Sequence, residues 1–120
     1  MKRENAIKEK SYKFAIRIVN LYKHLVAGKR EFVLSKQVLR SGTAIGAIIA
    51  EGIEAESRPD FIHKMSLANK ETSETLYWLN LLKDTGYLKE PEYNSILEDC
   101  NEIKSILTSI IKTAKKNESI

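Results

Sequence analysis

Residues 4–26 of the chain read ENAIKEKSYKFAIRIVNLYKHLV, a stretch in which apolar side chains recur at every seventh position. Ile7, Phe14 and Leu21 form one such row, and a second row that starts at Ser11 runs beside it. Because seven residues make about two turns of an α-helix, both rows lie on the same face of the helix. The stretch therefore predicts an amphipathic helix that buries this face against other helices.

Three further segments with helical periodicity follow this first one. Gly28 can supply a left-handed cap at the end of the first helix, Ser57 and Pro59 resemble a helix start, and Gly86 is a helix stop. The four predicted helices cover about residues 4–26, 33–53, 58–85 and 91–116. Long helices joined by short connections pack as antiparallel neighbours. The predicted fold class is all-α, an up-down-up-down antiparallel four-helix bundle.

The length and composition indicate one domain, residues 1–120, because a single hydrophobic core commonly serves a chain of this size. No apolar segment follows the charged residues 2–4, so we expect no secretory signal and a cytoplasmic protein. The longest uncharged run, residues 41–50, is too short to cross a bilayer, and we expect no membrane partner. Cys100 is the only cysteine, and its place on the apolar stripe of the fourth helix predicts a buried thiol.

Charge is distributed unevenly along the chain. Residues 1–40 contain 11 Lys and Arg against 3 Asp and Glu, a local net charge of +8, whereas residues 41–120 contain 9 against 13, a net charge of −4. A basic first third favours an anionic partner or self-assembly. A solvated basic helix face is the alternative explanation, because net charge bears on association and not on fold.

The basic residues of the first helix fall on one side of it, away from the apolar rows. The candidate nucleic-acid-binding residues on this side are Arg3, Lys10, Lys13 and Arg17. Such a stripe can follow a phosphate backbone, which dominates the affinity of proteins for nucleic acids. The candidate aromatic side chains for stacking are Tyr12 and Tyr22, and this small number favours recognition of the backbone or of shape over reading of bases.

The third predicted helix carries more apolar surface than one core needs. Residues 76–79 are four consecutive large apolar side chains, and a band this wide is normally covered from more than one side. We therefore predict that Tyr77 and Trp78 lie at an interface between subunits; the alternative is that they line the edges of a wide core. The glycines Gly42 and Gly46 indicate close helix packing, either inside the bundle or against another subunit.

The sequence offers little that could perform catalysis. The metal-binding pattern of helical bundles needs Glu-x-x-His on two helices, and this chain has only Asp60-x-x-His63, once. No phosphate-binding glycine loop or nucleophile motif is present. We expect no catalytic residue, no metal and no cofactor, and we expect that the protein is not an enzyme.

The segments at residues 39–52, 57–64 and 70–79 together resemble the four-helix-bundle family also called the 23S rRNA-intervening-sequence protein family. The residues that carry the resemblance include Arg40, Ser41, Glu51, Glu71, Glu74, Tyr77 and Trp78. The acidic residues and Arg40 are the predicted structural polar network. Ala44 and Ile48 depart from the family pattern, which tends to place Ser and Asn there.

The resemblance implies a small bundle that forms a ring-like homo-oligomer, with a pentamer as the expected assembly, and no enzymatic activity. It also implies a relation to the accessory protein of diversity-generating retroelements, a basic pentamer that binds nucleic acid and works with a reverse transcriptase. The leading hypothesis is therefore a homo-oligomeric accessory or scaffold protein that binds RNA or DNA through the basic first helix. The alternative is a module that recruits a partner protein, such as a reverse transcriptase, without touching nucleic acid.

Overall fold

A computed structural model of the protein describes the backbone of residues 2–118 and the side chains of residues 4–117. The helices in it are α1 (Lys2–Ala27), α2 (Leu34–Ile53), α3 (Arg58–Asp84) and α4 (Glu90–Glu118). Their ends lie within two residues of the predicted ends. Each helix packs against its two neighbours in a square, α1 against α2 and α4, and α3 against α2 and α4. The predicted all-α, antiparallel four-helix bundle is confirmed.

The face of α1 that the sevenfold repeat predicts is the buried face. Ile7, Ile18 and Leu25 are fully buried, and Phe14 is 1% exposed. At the end of α1 the chain does not turn where the sequence suggested. Arg30, with a φ of 55°, adopts the left-handed conformation, and Gly28 does not. The prediction of a left-handed cap at Gly28 is wrong: the helical hydrogen bond from its amide to the carbonyl of His24, 2.8 Å long, is followed by a left-handed residue only at Arg30.

The start of α2 is capped by a carboxylate from the connection before it. Glu31 accepts hydrogen bonds from the backbone amides of Val33, Leu34 and Ser35, at 3.1, 3.0 and 2.6 Å. The first amides of a helix have no partner within the helix, so this one side chain satisfies three of them. Burial opposes ionisation of Glu31, but the backbone hydrogen bonds outweigh it and lower the pKa of its carboxyl below the ordinary value.

The two ends of α3 follow the sequence signals. Ser57 Oγ accepts a hydrogen bond from the amide of Asp60, 3.2 Å away, which confirms the predicted helix start. At the other end Gly86 has a φ of 86°, a conformation that glycine adopts without the strain a side chain brings. This turn leads directly into the connection to α4, which includes Tyr87 and Lys89.

The glycines of α2 serve contacts within the bundle. A Cβ atom on Gly42 would lie 2.7 Å from Ile18 Cγ1, and one on Gly46 would lie 3.2 Å from the backbone oxygen of Ser11. Both neighbours belong to α1. The sequence did not decide whether the two glycines pack inside the bundle or against another subunit. The close crossing of α1 and α2 explains both of them by contacts inside the bundle.

Candidate nucleic-acid interface

The predicted basic stripe of α1 faces α4, and carboxylates accompany its cations. Lys10 Nζ lies 2.6 Å from Glu102 Oε1, and the Glu102 carboxylate raises the pKa of Lys10. Lys13 lies 2.9 Å from Glu9, one turn earlier on the same helix. The side chain of Arg3 lies outside the described residues. The positive charge of this stripe is therefore partly balanced by the protein itself.

Arg17 is the most firmly held cation of the stripe. Its guanidinium donates to Asp99 Oδ2 at 2.7 Å, to Ser95 Oγ at 3.0 Å and to the carbonyl of Ser95 at 3.3 Å. These partners lie on α4, so Arg17 joins the first helix to the last. A guanidinium has five N–H groups, and these three bonds leave two of them available.

Four cations that make no ion pair with any residue in the described part of the chain lie together at one end of the bundle, where α1 ends and α2 begins. They are Lys23, Lys29, Arg30 and Lys36, and all four are exposed. Lys89, just before α4, is exposed at the same end. Other exposed cations without an ion pair to a described residue lie elsewhere on the bundle, namely Lys8, Arg58, Lys70, Lys112 and Lys116. We call the end that holds the group around Lys29 and Lys89 the basic end.

A cleft of about 390 Å³ opens at the basic end, between the last turns of α1 and the first turns of α4. Its basic and aromatic lining residues are Arg17, His24, Lys29, Tyr87 and Lys89, and the carboxylate of Glu92 also borders it. Tyr87 and Lys89 come from the α3–α4 connection and are more than sixty positions from Arg17 in the sequence. Sequence reasoning missed both residues, because only the packing of α4 beside α1 brings them to this place.

The predicted polar network lies elsewhere, on the α2–α3 side. Arg40 donates to Glu71 Oε1 at 3.0 Å and to Glu74 Oε2 at 2.5 Å. Glu74 Oε2 also accepts from the indole of Trp78 at 3.1 Å. The Trp78 hydrogen bond and the Arg40 guanidinium together lower the pKa of Glu74. The cluster fixes α2 against α3 and holds the indole in place.

Glu51, the fourth predicted member, is not part of this cluster. It pairs with Lys64 across the α2–α3 seam, with 3.1 Å between Nζ and Oε1. Ile48, one of the two departures from the family pattern, packs against the apolar core, and Ala44 is half-buried. A further polar contact between α2 and α3 is a hydrogen bond of 2.9 Å from Thr75 Oγ1 to Ser41 Oγ.

The two residues predicted at a subunit interface lie on α3. Tyr77 is 59% exposed, and Trp78 is half-buried. Their rings meet edge to face with their centroids 4.9 Å apart. A second exposed apolar surface lies on α1, where Tyr12 is 69% and Ile16 is 48% exposed.

Tyr12 borders a shallow groove between α1 and α2. The groove has a volume of about 600 Å³, and its floor includes Gly46, Ala47 and Ala50. These small side chains leave the groove open beside the tyrosine. Tyr12 and Tyr22, the predicted stacking residues, both lie on α1, Tyr12 exposed and Tyr22 half-buried.

The described residues also bear on the sequence expectations for a metal site, a buried thiol and a membrane span. Among residues 2–118, no three His, Cys, Asp or Glu side chains lie close enough to hold a metal ion. The predicted burial of Cys100 is confirmed, and burial raises the pKa of its thiol to about 12. None of the described helices combines the length and the apolar character that crossing a membrane requires.

These observations define the chain as a small antiparallel helical bundle with a basic end. A family model described as the 23S rRNA-intervening sequence protein matches residues 3–109, and the chain belongs to this family. The resemblance seen in the sequence is confirmed.

A solved structure supports the same conclusion. It is a 1.70 Å crystal structure from Bacteroides thetaiotaomicron VPI-5482, described as a protein with unknown function from the S23 ribosomal protein family. The two chains share 55% identity and superimpose with a TM-score of 0.91, over 92% of this chain and 98% of the other. No curated protein matches the chain.

Proposed function

We propose that the protein is a non-enzymatic accessory bundle that assembles with copies of itself and binds the backbone of RNA or DNA. The observation that carries the proposal is the set of exposed cations at the basic end that make no ion pair with any described residue. A phosphate gains more from such a cation than from one that a carboxylate already neutralises, because binding to it breaks no ion pair.

The ion pairs of the α1 stripe bear on where the centre of the proposed binding surface lies. Lys10, Lys13 and Arg17 remain close to it, but their carboxylate partners reduce what each can offer to a phosphate. Lys29 and Arg30, in the α1–α2 connection, have no such partner among residues 2–118. We therefore place the centre of the proposed surface at the basic end and its flank along α1.

Self-assembly is supported by the exposed apolar side chains. A ring joins two different surfaces of each copy, head to tail. The chain presents two such surfaces on different helices, Tyr77 with Trp78 on α3 and Tyr12 with Ile16 on α1. We propose that these surfaces meet between neighbouring copies. Assembly would multiply the basic end into one larger positive surface.

The salt dependence of RNA binding tests the nucleic-acid part of the proposal. The affinity of the purified protein for a fluorescent RNA is measured by anisotropy over a series of salt concentrations. Release of counterions predicts a linear fall of log K with log salt, by about 0.7 to 0.9 for each phosphate contacted. Absence of binding at about 50 mM salt would contradict the proposal.

A second function is favoured by one specific observation, the ion pairs that join Lys10 and Arg17 to α4. If these charges only hold the helices together, the stripe on α1 is not a nucleic-acid surface. The alternative function is then the recruitment of a partner protein without contact to nucleic acid. In that case removal of the positive charges at the basic end would leave the function of the protein intact. The same charge removal abolishes the function if nucleic-acid binding is the role.

A further inference from the structure

We propose that the cleft at the basic end binds one nucleotide of a single-stranded nucleic acid. The inference rests on the proposed nucleic-acid binding and adds a defined site and a preferred form of the ligand. The site holds a phosphate on the lysines of its rim and a base beside Tyr87.

The size and charge of the cleft suit one nucleotide. A volume of about 390 Å³ is within the range of pockets that enclose small ligands, roughly 300 to 1,000 Å³. Lys29 and Lys89 approach it from different connections, and neither forms an ion pair with a residue in the described range. Two lysines that line one cleft can contact the same phosphate.

Arg17 adds a fixed donor to the lining of the cleft. Asp99 and Ser95 hold its guanidinium in place, and two of its five N–H groups remain unused. A donor that is already immobilised loses little conformational entropy when a ligand arrives. Asp99 cancels much of the charge of Arg17, so this residue orients the ligand while the lysines attract it.

Tyr87 gives the cleft its preference for a single strand. An aromatic side chain can stack on any unpaired base, whereas the bases of a duplex are already stacked on one another. Tyr87 is half-buried, and its amide donates to the carbonyl of Leu82 at 2.9 Å. The base would therefore stack on a side chain whose backbone is fixed by a hydrogen bond to the end of α3.

The test compares a short 3′-labelled oligouridylate with a labelled RNA duplex, both measured by fluorescence anisotropy. Tyr87→Leu keeps an apolar side chain against the core and removes the aromatic stacking surface. We expect it to weaken binding of the single strand about tenfold. Binding of the duplex should stay at the wild-type level.

A second variant addresses the phosphate contacts without changing the packing. Lys29→Gln with Lys89→Gln should lower the slope of log K against log salt for the single strand by about 0.7, since the two lysines together neutralise one phosphate. The matched control is Lys112→Gln with Lys116→Gln, which removes the same charge from exposed positions at the far end of α4. Glu92→Gln, which removes the carboxylate from the cleft, should tighten binding.

The outcomes separate the two proposals. If the wild-type protein binds both RNAs equally and the cleft variants behave like the control, the cleft proposal is overturned while nucleic-acid binding stands. If the wild-type protein binds neither RNA, both proposals fall. Loss confined to the single strand in Tyr87→Leu, together with the reduced slope in the lysine variant, supports the cleft.

Discussion

The guanidinium of Arg17 lies 2.7 Å from the carboxylate of Asp99, so a cation of the first helix is neutralised by the last. In the sequence Arg17 belongs to the basic stripe of α1, whose members Arg3, Lys10 and Arg17 follow one another at intervals of seven residues. In the fold this stripe is one side of the α1–α4 seam. The pair therefore joins two helices at the border of the basic end, where we propose that nucleic acid binds.

Removal of the carboxylate should release this cation. We predict that Asp99→Asn strengthens RNA binding several-fold at about 50 mM salt, because the variant offers the phosphates one more unpaired cation. The free energy of unfolding should fall by less than about 1 kcal/mol, since both side chains of the pair are more than a third exposed. Anisotropy titrations and urea melts measure the two effects. Glu98→Gln, which removes an exposed carboxylate that forms no described ion pair, is the control and should change the affinity less.

Glu31 caps α2, and its replacement should cost stability. We predict that Glu31→Gln lowers the free energy of unfolding by about 1 kcal/mol, because the charged acceptor of three helix amides is lost. Urea denaturation at neutral pH measures the change. The control is Glu56→Gln, at an exposed position outside the helices. Equal stability of the two variants would contradict the capping role.

The same carboxyl should shape the acid limb of the stability curve. The pKa of Glu31 is lowered in the folded state, so its contribution is fully present above the unfolded value of about 4.5. As the pH falls below that value, the Glu31 carboxyl is protonated in the unfolded chain before it is protonated in the folded one. Its contribution to the free energy of unfolding therefore decreases until the pH reaches the folded pKa. Urea melts from pH 6 to pH 3, about the range that this group spans, should therefore show a shallower loss of stability in Glu31→Gln than in the wild type.

Gly42 should tolerate no side chain. A methyl group there would lie 2.7 Å from Ile18 Cγ1, so Gly42→Ala forces α1 and α2 apart. We predict a net loss of about 1 to 3 kcal/mol in the free energy of unfolding, although alanine favours a helix by about 1 kcal/mol. Thermal and urea melts decide the sign. A more stable variant would show that the α1–α2 crossing can accommodate a methyl group at this position.

The sequence was sufficient for most features that depend on one helix at a time; the left-handed residue Arg30 after α1 and the Glu31 cap of α2 are exceptions. The apolar rows of α1 and the cap at Ser57 follow from spacing and from residue type, and both are present. The partners of charged residues did not follow, because the register between helices decides them. Glu51, for example, meets Lys64 and not Arg40.

The candidate site shows the same limit more strongly. Arg17 was identified from its position on α1, but Tyr87 and Lys89 lie in a connection that carries no periodic signal. Their approach to α1 depends on the antiparallel return of α4. Glu31 was missed as a cap because it lies three residues before α2, where the sequence offers no Ser, Thr, Asp or Asn.

The proposed assembly predicts a mass well above 13.7 kDa, near five times this value if the ring is a pentamer. We predict that Tyr77→Glu lowers the assembled mass, because a charge would be placed in an apolar contact between copies. Light scattering measures the mass, and circular dichroism shows that the helices persist. Ser105→Glu, at an exposed position of α4, is the control. An unchanged mass in Tyr77→Glu would remove this residue from the interface.

The central claim is that the basic end, and not the whole positive charge of the chain, binds nucleic acid. The most direct measurement compares the RNA affinity of Lys29→Gln with Arg30→Gln and of Lys112→Gln with Lys116→Gln at about 50 mM salt. Both double variants lose two positive charges at exposed positions, so their net charges are the same. We predict that the first variant binds RNA at least tenfold more weakly than the second, since it loses phosphate contacts. Equal affinities in the two variants would contradict the claim.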